Sequence, residues 1–501
     1  MKEKKLAKIF YSDLWGLREE KYDCLLKNDV KTIKWQELEP VVPYYFFVPK
    51  DFALQEQYEK FWKVTDIFTK WSSGVKTHRD HFIVGFTEEE IRQRMGVFTG
   101  DLPHELVKQG LNLRDTRDWK VKAARESVKE IDWMKYIRPY SYRPFDIRYI
   151  CYLPDLIDRG CDRWDFMRNF LEGGNLGLGI KRSRYIKVLE FKHVFVTSTV
   201  SDINLFGDQT LYFPLYLYPD ESGKSLLDDG TPKADRIPNF TPEFLQAIKE
   251  SLGSEPTPEE IFCYIYAILY SPTYRKRYEE LLKIDFPKIP LPSDYKVFKE
   301  LRDLGKELVD LHLLKSSHLG ETGIGVSESG SNAVEKVSYD EDNQRVFINK
   351  ERYFEGISKG VWEYRIGAYQ VMEKYLKDRR KRKLSLDEIN HYMKVAKAIQ
   401  LTMELQEKID VVYGKMAEQK ALLRLKEKIK KIQTDLVHSQ GLSSEEIELA
   451  VREGLIDPDQ AWWWKEDWQK GEREAEKEIA QKEVSGHFKS VDELVEYLRK
   501  G

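Results

Sequence analysis

The hydrophobic pattern changes character twice along the chain. Residues 138–218 are rich in β-branched and aromatic residues broken by regular turn signals. Tyr149-Ile150-Cys151-Tyr152, Val194-Phe195-Val196-Thr197 and Leu211-Tyr212-Phe213 are examples, and such runs predict a mainly β region. From residue 241 the apolar positions recur at helical spacing. Thr257-Pro258-Glu259-Glu260 is a capping box with proline in the first turn, and Ile261, Ile265 and Leu269 follow on one face. Ser271-Pro272 restarts a second helix. The proline-dense stretch 286–292 must be extended, and a third helix from Ser293 turns Phe298, Leu301, Leu304 and Leu308 inward. The Gly/Ser-rich stretch 316–333 predicts a mobile loop, with short strands near 345–349 and 361–366 after it. Ser385-Leu386-Asp387-Glu388 caps a long helix with Ile389, Tyr392, Ala396, Ile399 and Met403 in register, continued through 411–437. Another helix starts at Ser443. Before residue 138 the pattern predicts a strand over 7–15, an extended run Tyr44-Tyr45-Phe46-Phe47-Val48, a helix over 57–71, a strand over 79–86 and charged helices over 87–130. The fold class expected is α+β and multidomain: a mixed β-rich domain, a helical subdomain and a C-terminal helical extension.

Length and composition bound this picture. The 501 residues allow two to four domains. With 41% hydrophobic and 33% charged residues the chain is too apolar for disorder. No run approaches the ~18 apolar residues of a membrane helix, so no membrane partner is expected. The Met1-Lys2-Glu3-Lys4-Lys5 start does not lead into a signal-type apolar stretch. Four cysteines without a CxxC pair argue against a disulfide scaffold or a Cys-rich zinc site, so the expected location is cytoplasmic. Net charge is only −3, but it is unevenly spread. Residues 441–501 carry nine basic and 16 acidic residues, residues 411–440 seven and three, and residues 1–410 balance at 66 of each. A face for a polyanion must therefore come from local clusters. One is Lys377-Asp378-Arg379-Arg380-Lys381-Arg382-Lys383. The other spans 159–192, with Arg159, Arg163, Arg168, Lys181, Arg182, Arg184, Lys187 and Lys192. A solvated face is the competing explanation of either.

Much familiar chemistry is missing. No Asn/Asp-Pro-Pro-aromatic loop for amino methylation occurs. Gly223-Lys224-Ser225 has Tyr218 where a phosphate-cradling loop needs glycine. The run Gly174-Asn175-Leu176-Gly177-Leu178-Gly179 misses the dinucleotide fingerprint and reads as a turn around a strand. His78 and His81 read as a loop residue and a strand residue, not as metal ligands. One nuclease-like pattern exists: Asp155 after Pro154, then Glu190 and Lys192. Two carboxylates and a lysine can hold magnesium and activate water. The pattern also arises readily by chance in a chain this charged.

Several blocks, in order, resemble a known family. They are Phe10-Tyr11-Ser12-Asp13-Leu14-Trp15-Gly16-Leu17-Arg18-Glu19-Glu20-Lys21-Tyr22, the run 43–50, Lys76-Thr77-His78-Arg79-Asp80-His81-Phe82, Tyr142-Arg143-Pro144-Phe145-Asp146-Ile147-Arg148-Tyr149 and His193-Val194-Phe195-Val196. Ser201-Asp202-Ile203-Asn204-Leu205, Pro214-Leu215-Tyr216-Leu217-Tyr218-Pro219, the run 264–274, the run 362–377 and the run 384–391 complete the series. Over about residues 5–410 the chain resembles the C-terminal specificity domain of single-chain type ISP restriction–modification enzymes and the C-terminal parts of adenine-specific DNA methyltransferases. The resemblance implies a DNA-reading portion without the methylating portion, as one half of a split enzyme or as the product of a broken gene. It implies no catalytic and no metal-binding residue in this chain, and no cofactor. S-adenosylmethionine and magnesium belong to the absent methyltransferase and nuclease portions. The implied domains are 1–55, the last strands of a methyltransferase core; 56–410, the specificity domain; 411–440, a basic helical linker; and 441–501, an acidic tail. The specificity domain comprises a β-rich part (138–218), a helical part (241–315), the loop 316–333, and strands and helices over 340–410. The tail, from Asp457-Pro458-Asp459-Gln460-Ala461-Trp462-Trp463-Trp464 to Ala475, resembles the C-terminal segment of small bacterial antitoxins, with a last helix over 491–499. Its four tryptophans either dock a basic, toxin-like partner or pack on the chain's own helices.

DNA affinity comes from neutralising phosphates and specificity from base edges, with Arg–guanine and Asn–adenine pairs the commonest. The expected readers are therefore Arg159, Arg163, Arg182, Arg184 and Asn204 on loops of the β region. Lys76, Thr77 and Arg79 hold phosphate or base, or Arg79 forms an internal ion pair with Asp80. Arg143 and Arg148 lie on opposite faces of a strand, with one of them open to a structural pairing with Asp146. Arg380, Lys381 and Arg382 suit backbone contact. Three functions are in play. The first is a duplex-DNA recognition module acting with a methyltransferase or restriction subunit. The second is a magnesium-dependent endonuclease built on Asp155, Glu190 and Lys192. The third is an interaction protein that binds a toxin through its tail.

Overall fold

The structure, a computed structural model, describes residues 7–40, 42, 45–49, 54–171, 173–182, 190–218, 236–437 and 441–480. The chain forms two units, Met1–Gly414 and Lys415–Gly501. The first is mixed α/β with several sheets and helical parts. Two four-stranded sheets lie at its centre. One runs Val200–Ser201, Ile137–Arg143, Asp146–Cys151, Val84–Gly85. The other runs Ser72–Ser73, Thr210–Pro214, Gly177–Lys181, Val194–Thr197. Ile137–Arg143 and Asp146–Cys151 form a tight hairpin closed by Pro144-Phe145, with Phe145 in the left-handed region at φ 62°. The sheets are tied by a bridge between Val75 and Asp202 and by a hydroxyl chain. Ser141 Oγ lies 2.7 Å from Thr197 Oγ1, which lies 2.9 Å from Ser201 Oγ. Gly177–Lys181 is buried throughout, and a Cβ at Gly177 would stand 2.6 Å from the Phe170 ring. Close packing thus accounts for glycine in this strand.

The helical part follows the predicted register. Pro258–Tyr270 buries every residue from Ile261 onward, and Thr257 and Glu260 close the capping box. Tyr295–His312 packs against it. A Cβ on Gly305 would lie 2.0 Å from the Cys263 carbonyl oxygen, so glycine lets the two helices approach. Ser385 and Glu388 cap Leu386–Val437 as their spacing predicts.

Four expectations are corrected. Residues 57–71 are not one helix: Gln55–Glu59 and Val64–Ile67 flank the strand Trp62–Lys63, which pairs with Lys288–Ile289. Residues 79–86 are the helix Asp80–Ile83 followed by Val84–Gly85. Phe82 and Ile83 are both buried, which an alternating strand does not allow. The stretch 316–333 contributes Gly325–Val326 as the edge of a four-stranded sheet, paired with Tyr353–Glu355. Residues 361–366 divide between the helix Lys359–Glu363 and the strand Arg365–Ile366. Near the N-terminus Ile9–Tyr11 pairs with Gln36–Leu38, and the helix Arg18–Lys27 between them buries none of its residues. Of the run 44–48, Tyr44 lies outside the described residues, and 45–48 form no regular element.

A buried ionic cluster joins the hairpin to the segment before the long helix. The Asp146 carboxylate, 2% exposed, accepts from Arg148 at 2.8 and 3.0 Å and from Arg379 at 2.9 Å. Arg148 also reaches Asp378 at 3.0 Å, and Arg379 reaches Glu388 at 3.0 Å while lying 3.5 Å over the Tyr375 ring. Burial pushes the Asp146 carboxyl up, but the two guanidiniums outweigh it and hold it down at about 2.

In the second unit Ile432, Leu442, Ile447, Leu449, Ala450 and Ile456 form a small core, with Trp464 against it. Ser443 and Glu446 form a capping box on Ser444–Arg452. Lys431, 2.7 Å from Glu446, and the Ser443 amide hold that carboxyl at about 2.

Removing one member of a buried ion pair strands its partner, at a cost of about 3–5 kcal/mol. Asp146→Asn is expected to lower unfolding free energy by that amount in urea titrations. Because the folded carboxyl titrates below its ordinary value of 3.8, its stabilisation is complete above about pH 4 and is lost as pH falls toward 2. Wild type should show this loss, and the Asn variant should lack that component.

Candidate nucleic-acid interface

Thr77, Arg79, Arg143, Arg148 and Arg382, all expected to meet DNA, are buried or half-buried and held by the chain's own carboxylates. Arg79 is 4% exposed, pairs with Asp158, donates to the Thr77 and Leu156 carbonyls at 3.1 and 3.2 Å, and lies 3.8 Å over the Trp119 ring. Its partner is Asp158, not the adjacent Asp80. His78 Nδ1 binds the other Asp158 oxygen. Burial raises the Asp158 carboxyl, and the bonds from Arg79 and His78 bring it below its usual value. Thr77 is buried and bonded to Asp80, whose other oxygen accepts from the Tyr142 hydroxyl at 3.0 Å. Arg143 donates to Asp202 at 3.2 Å and lies 3.9 Å over the Tyr142 ring. Asp202 also accepts from the Tyr140 hydroxyl at 2.8 Å and the Asn204 amide at 2.6 Å, yet burial still leaves its carboxyl raised. Arg148 belongs to the Asp146 cluster, and it stands on the second strand of the hairpin, not across a single strand from Arg143 as expected. Arg382, half-buried, reaches Glu90 at 2.7 Å across the Phe86 ring.

Three expected residues come together on the surface. The loop after Ser72–Ser73 runs beside the loop 158–163. The Lys76 amide donates to the Cys161 carbonyl at 3.0 Å, and Arg163 Nε donates to Ser73 Oγ at 3.0 Å. Lys76, Arg159 and Arg163 are all exposed. Arg163 has φ 57°, and Asp162 accepts from the Trp164 amide at 2.8 Å, starting the short helix Trp164–Met167. Trp164 stacks on the buried Tyr152 at 5.1 Å, which fixes the loop from below. The Ser73 bond uses only Nε, leaving both terminal nitrogens of Arg163 for a planar acceptor.

Beside these loops lies an open cavity of about 580 Å³, lined by Lys70, Trp71, Ser72, Phe166, Arg168 and Tyr218, with Asp165 also on its wall. Trp71 is 42% exposed. Cation and aromatic together can grip a phosphate and an adjoining ring. Sequence reasoning missed Lys70 and Trp71. Their signal is a tryptophan between a lysine and two serines in a polar stretch, where a core residue is out of place.

The remaining candidates are scattered. Half-buried Asn204 follows Ile203, whose amide bonds Val75 at 2.9 Å, one residue from Lys76. Arg182 is paired with Asp285 at 2.8 Å. Arg184 lies outside the described residues, as do Gly223-Lys224-Ser225 and the run 491–499. Arg380 and Lys381 are exposed on a loop tied to Val334, a second basic spot. Of the nuclease pattern, Asp155 is exposed in the short helix Pro154–Leu156, while Glu190 pairs with Lys192 at 2.5 Å on the wall of a different cavity. Among the described residues no group of three or more His, Cys, Asp or Glu is placed to hold a metal.

A family model described as the Type ISP C-terminal specificity domain matches residues 66–409. No curated protein matches the chain. Solved structures share its fold. A nuclease-deletion mutant of the Type ISP restriction-modification enzyme LlaGI, in complex with a DNA substrate mimic, is 18% identical with a TM-score of 0.59. The match covers 81% of this chain and 39% of that one. The DrdV–DNA complex is 20% identical with a TM-score of 0.60, over 81% of this chain and 43% of that one. The ATP-dependent Type ISP enzyme LlaBIII bound to DNA is 19% identical with a TM-score of 0.57, over 75% and 25%. This chain thus spans between about a quarter and somewhat less than half the length of these relatives. With the family model covering more than two thirds of its residues, the chain belongs to the family of Type ISP C-terminal specificity domains.

Proposed function

We propose that the chain reads duplex DNA and positions an N6-adenine methyltransferase, with its nuclease, supplied by another chain. The observation that carries the reading is the pairing of loops 73–79 and 158–163, anchored by buried ions and presenting Lys76, Arg159 and Arg163 to solvent. Lys76 and Arg159 suit phosphate contact; Arg163 suits the O6/N7 edge of guanine. In this division of labour S-adenosylmethionine binding stays with the partner, and base flipping is its task.

Titration against a pool of random duplexes at two salt concentrations tests this. One enriched asymmetric motif and a steep salt dependence are expected. Lys76→Ala should weaken binding to all sequences and lower the salt slope by roughly 0.9. Arg163→Ala should cost about 1–3 kcal/mol and relax one position of the motif. Binding without enrichment and insensitive to both substitutions would refute the assignment.

The N-terminal segment supports the partner. Trp15, Leu17 and Leu26 are 81%, 71% and 84% exposed, and Val30 is 77% exposed. Apolar surface gathered on so short a segment marks a protein interface. Trp15→Ser with Leu26→Ser is expected to abolish co-purification with the methyltransferase subunit and to leave duplex affinity of the chain alone within about twofold.

A second reading concerns the tail. Trp462, Trp463 and Trp468 pack on one another while staying 51%, 37% and 44% exposed, among exposed Asp457, Asp459, Glu466 and Asp467. That supports docking of a basic, toxin-like partner. Deleting residues 441–501 should abolish a complex with such a toxin and spare DNA binding.

A further inference from the structure

The unit Met1–Gly414 holds a cavity of about 490 Å³ that takes no part in the DNA face. Phe191 and Pro272 line it with apolar surface, and Arg275, Lys276, Tyr364 and Gln406 add polar groups. Arg275 is its unusual member. Its Nε donates to the Leu269 carbonyl at 2.6 Å and its guanidinium lies 4.6 Å from the Tyr270 ring centre. Its Nη2 is buried and, among the described residues, without a hydrogen-bond partner. A buried charged donor left unmet costs more than a typical hydrogen bond returns, so the geometry calls for an acceptor that the described residues do not supply.

The charges around the cavity define that acceptor. Glu190 and Lys192 neutralise one another at 2.5 Å, and Glu279 shares Lys283 with Glu280, at 2.8 and 2.6 Å. Arg275 and the exposed Lys276 remain, two positive charges on adjacent residues. A carboxylate matches half of that charge, and a phosphate monoester, at about −1.5 to −2, matches it nearly whole. The Tyr364 hydroxyl stands near Arg275. Burial raises its pKa and Arg275 pulls it part of the way back, leaving it at about 12, so it remains a neutral donor. The volume exceeds what a bare phosphate fills and falls within the range of small-ligand pockets.

We infer that this cavity binds a phosphate monoester carried on a small organic body, with Arg275 and Lys276 holding the phosphate. The assignment is independent of the DNA-reading proposal. The monoester belongs either to a free metabolite or to the 5′ end of a DNA strand. Calorimetric titration of the full chain distinguishes these, using adenosine 5′-monophosphate, inorganic phosphate, and a short single-stranded oligonucleotide with and without its 5′-phosphate. Saturable binding of the mononucleotide or of the 5′-phosphorylated oligonucleotide is expected, whichever binds more tightly naming the source. Arg275→Gln should weaken it at least about tenfold. Lys276→Ala, at an exposed position that does not threaten folding, should weaken it severalfold. Duplex affinity should stay unchanged in both variants. Absence of saturable binding to either monoester, or binding unaltered by both substitutions, overturns the proposal. Equal affinity for inorganic phosphate overturns its organic half.

Discussion

A carboxylate taken out of water is tolerable only when cations and donors replace its hydration, and Asp146 is satisfied by residues from two distant parts of the chain. Arg148 comes from its own hairpin and Arg379 from 233 residues further on. That meeting fixes how the β-rich region stands against the segment 371–388 and hence where the long helix begins. Two further ion pairs repeat the device. Arg143 meets Asp202 across the sheet junction, and Arg79 meets Asp158 beneath the surface loops. The cluster gives directionality to a core that apolar burial alone would leave free to slide, because a misplaced guanidinium would face an unpaired carboxylate.

The regular elements were legible where local chemistry decides them. The boxes at Thr257, Ser385 and Ser443 each mark a helix start, and the apolar stripe on Tyr295–His312 lies inward as its spacing predicts. Short elements were not legible, because tertiary partners decide them. Trp62–Lys63 is a strand only because Lys288–Ile289 lies beside it, and Gly325–Val326 only because Tyr353–Glu355 does. The candidate surface was legible in part for the same reason. Basic residues announce themselves in a sequence; their partners do not. Nothing near Arg79 foretells Asp158, and nothing in the run 377–383 foretells that Arg379 is buried while Arg380 is exposed.

The basic residues therefore sort by depth into two kinds with different physics. Arg79, Arg143, Arg148 and Arg379 are desolvated, paired on more than one side and stacked on aromatic rings. Lys76 rests on a backbone bond and Arg163 on a single hydroxyl, and both, like Arg159, are exposed to water. The first kind supplies rigidity, so the second can be presented without entropy lost to loop ordering on contact.

The loop 158–163 carries both kinds within a few residues. Asp158 points inward to its clamp, while Arg159 and Arg163 are exposed. Such a division separates heritable change in what faces water from heritable change in what folds. Single codon replacements at 159 or 163 can alter the solvated surface while the clamp keeps the loop in place. A lineage carrying this domain can thus vary the charge and shape of that surface without passing through an unfolded ancestor.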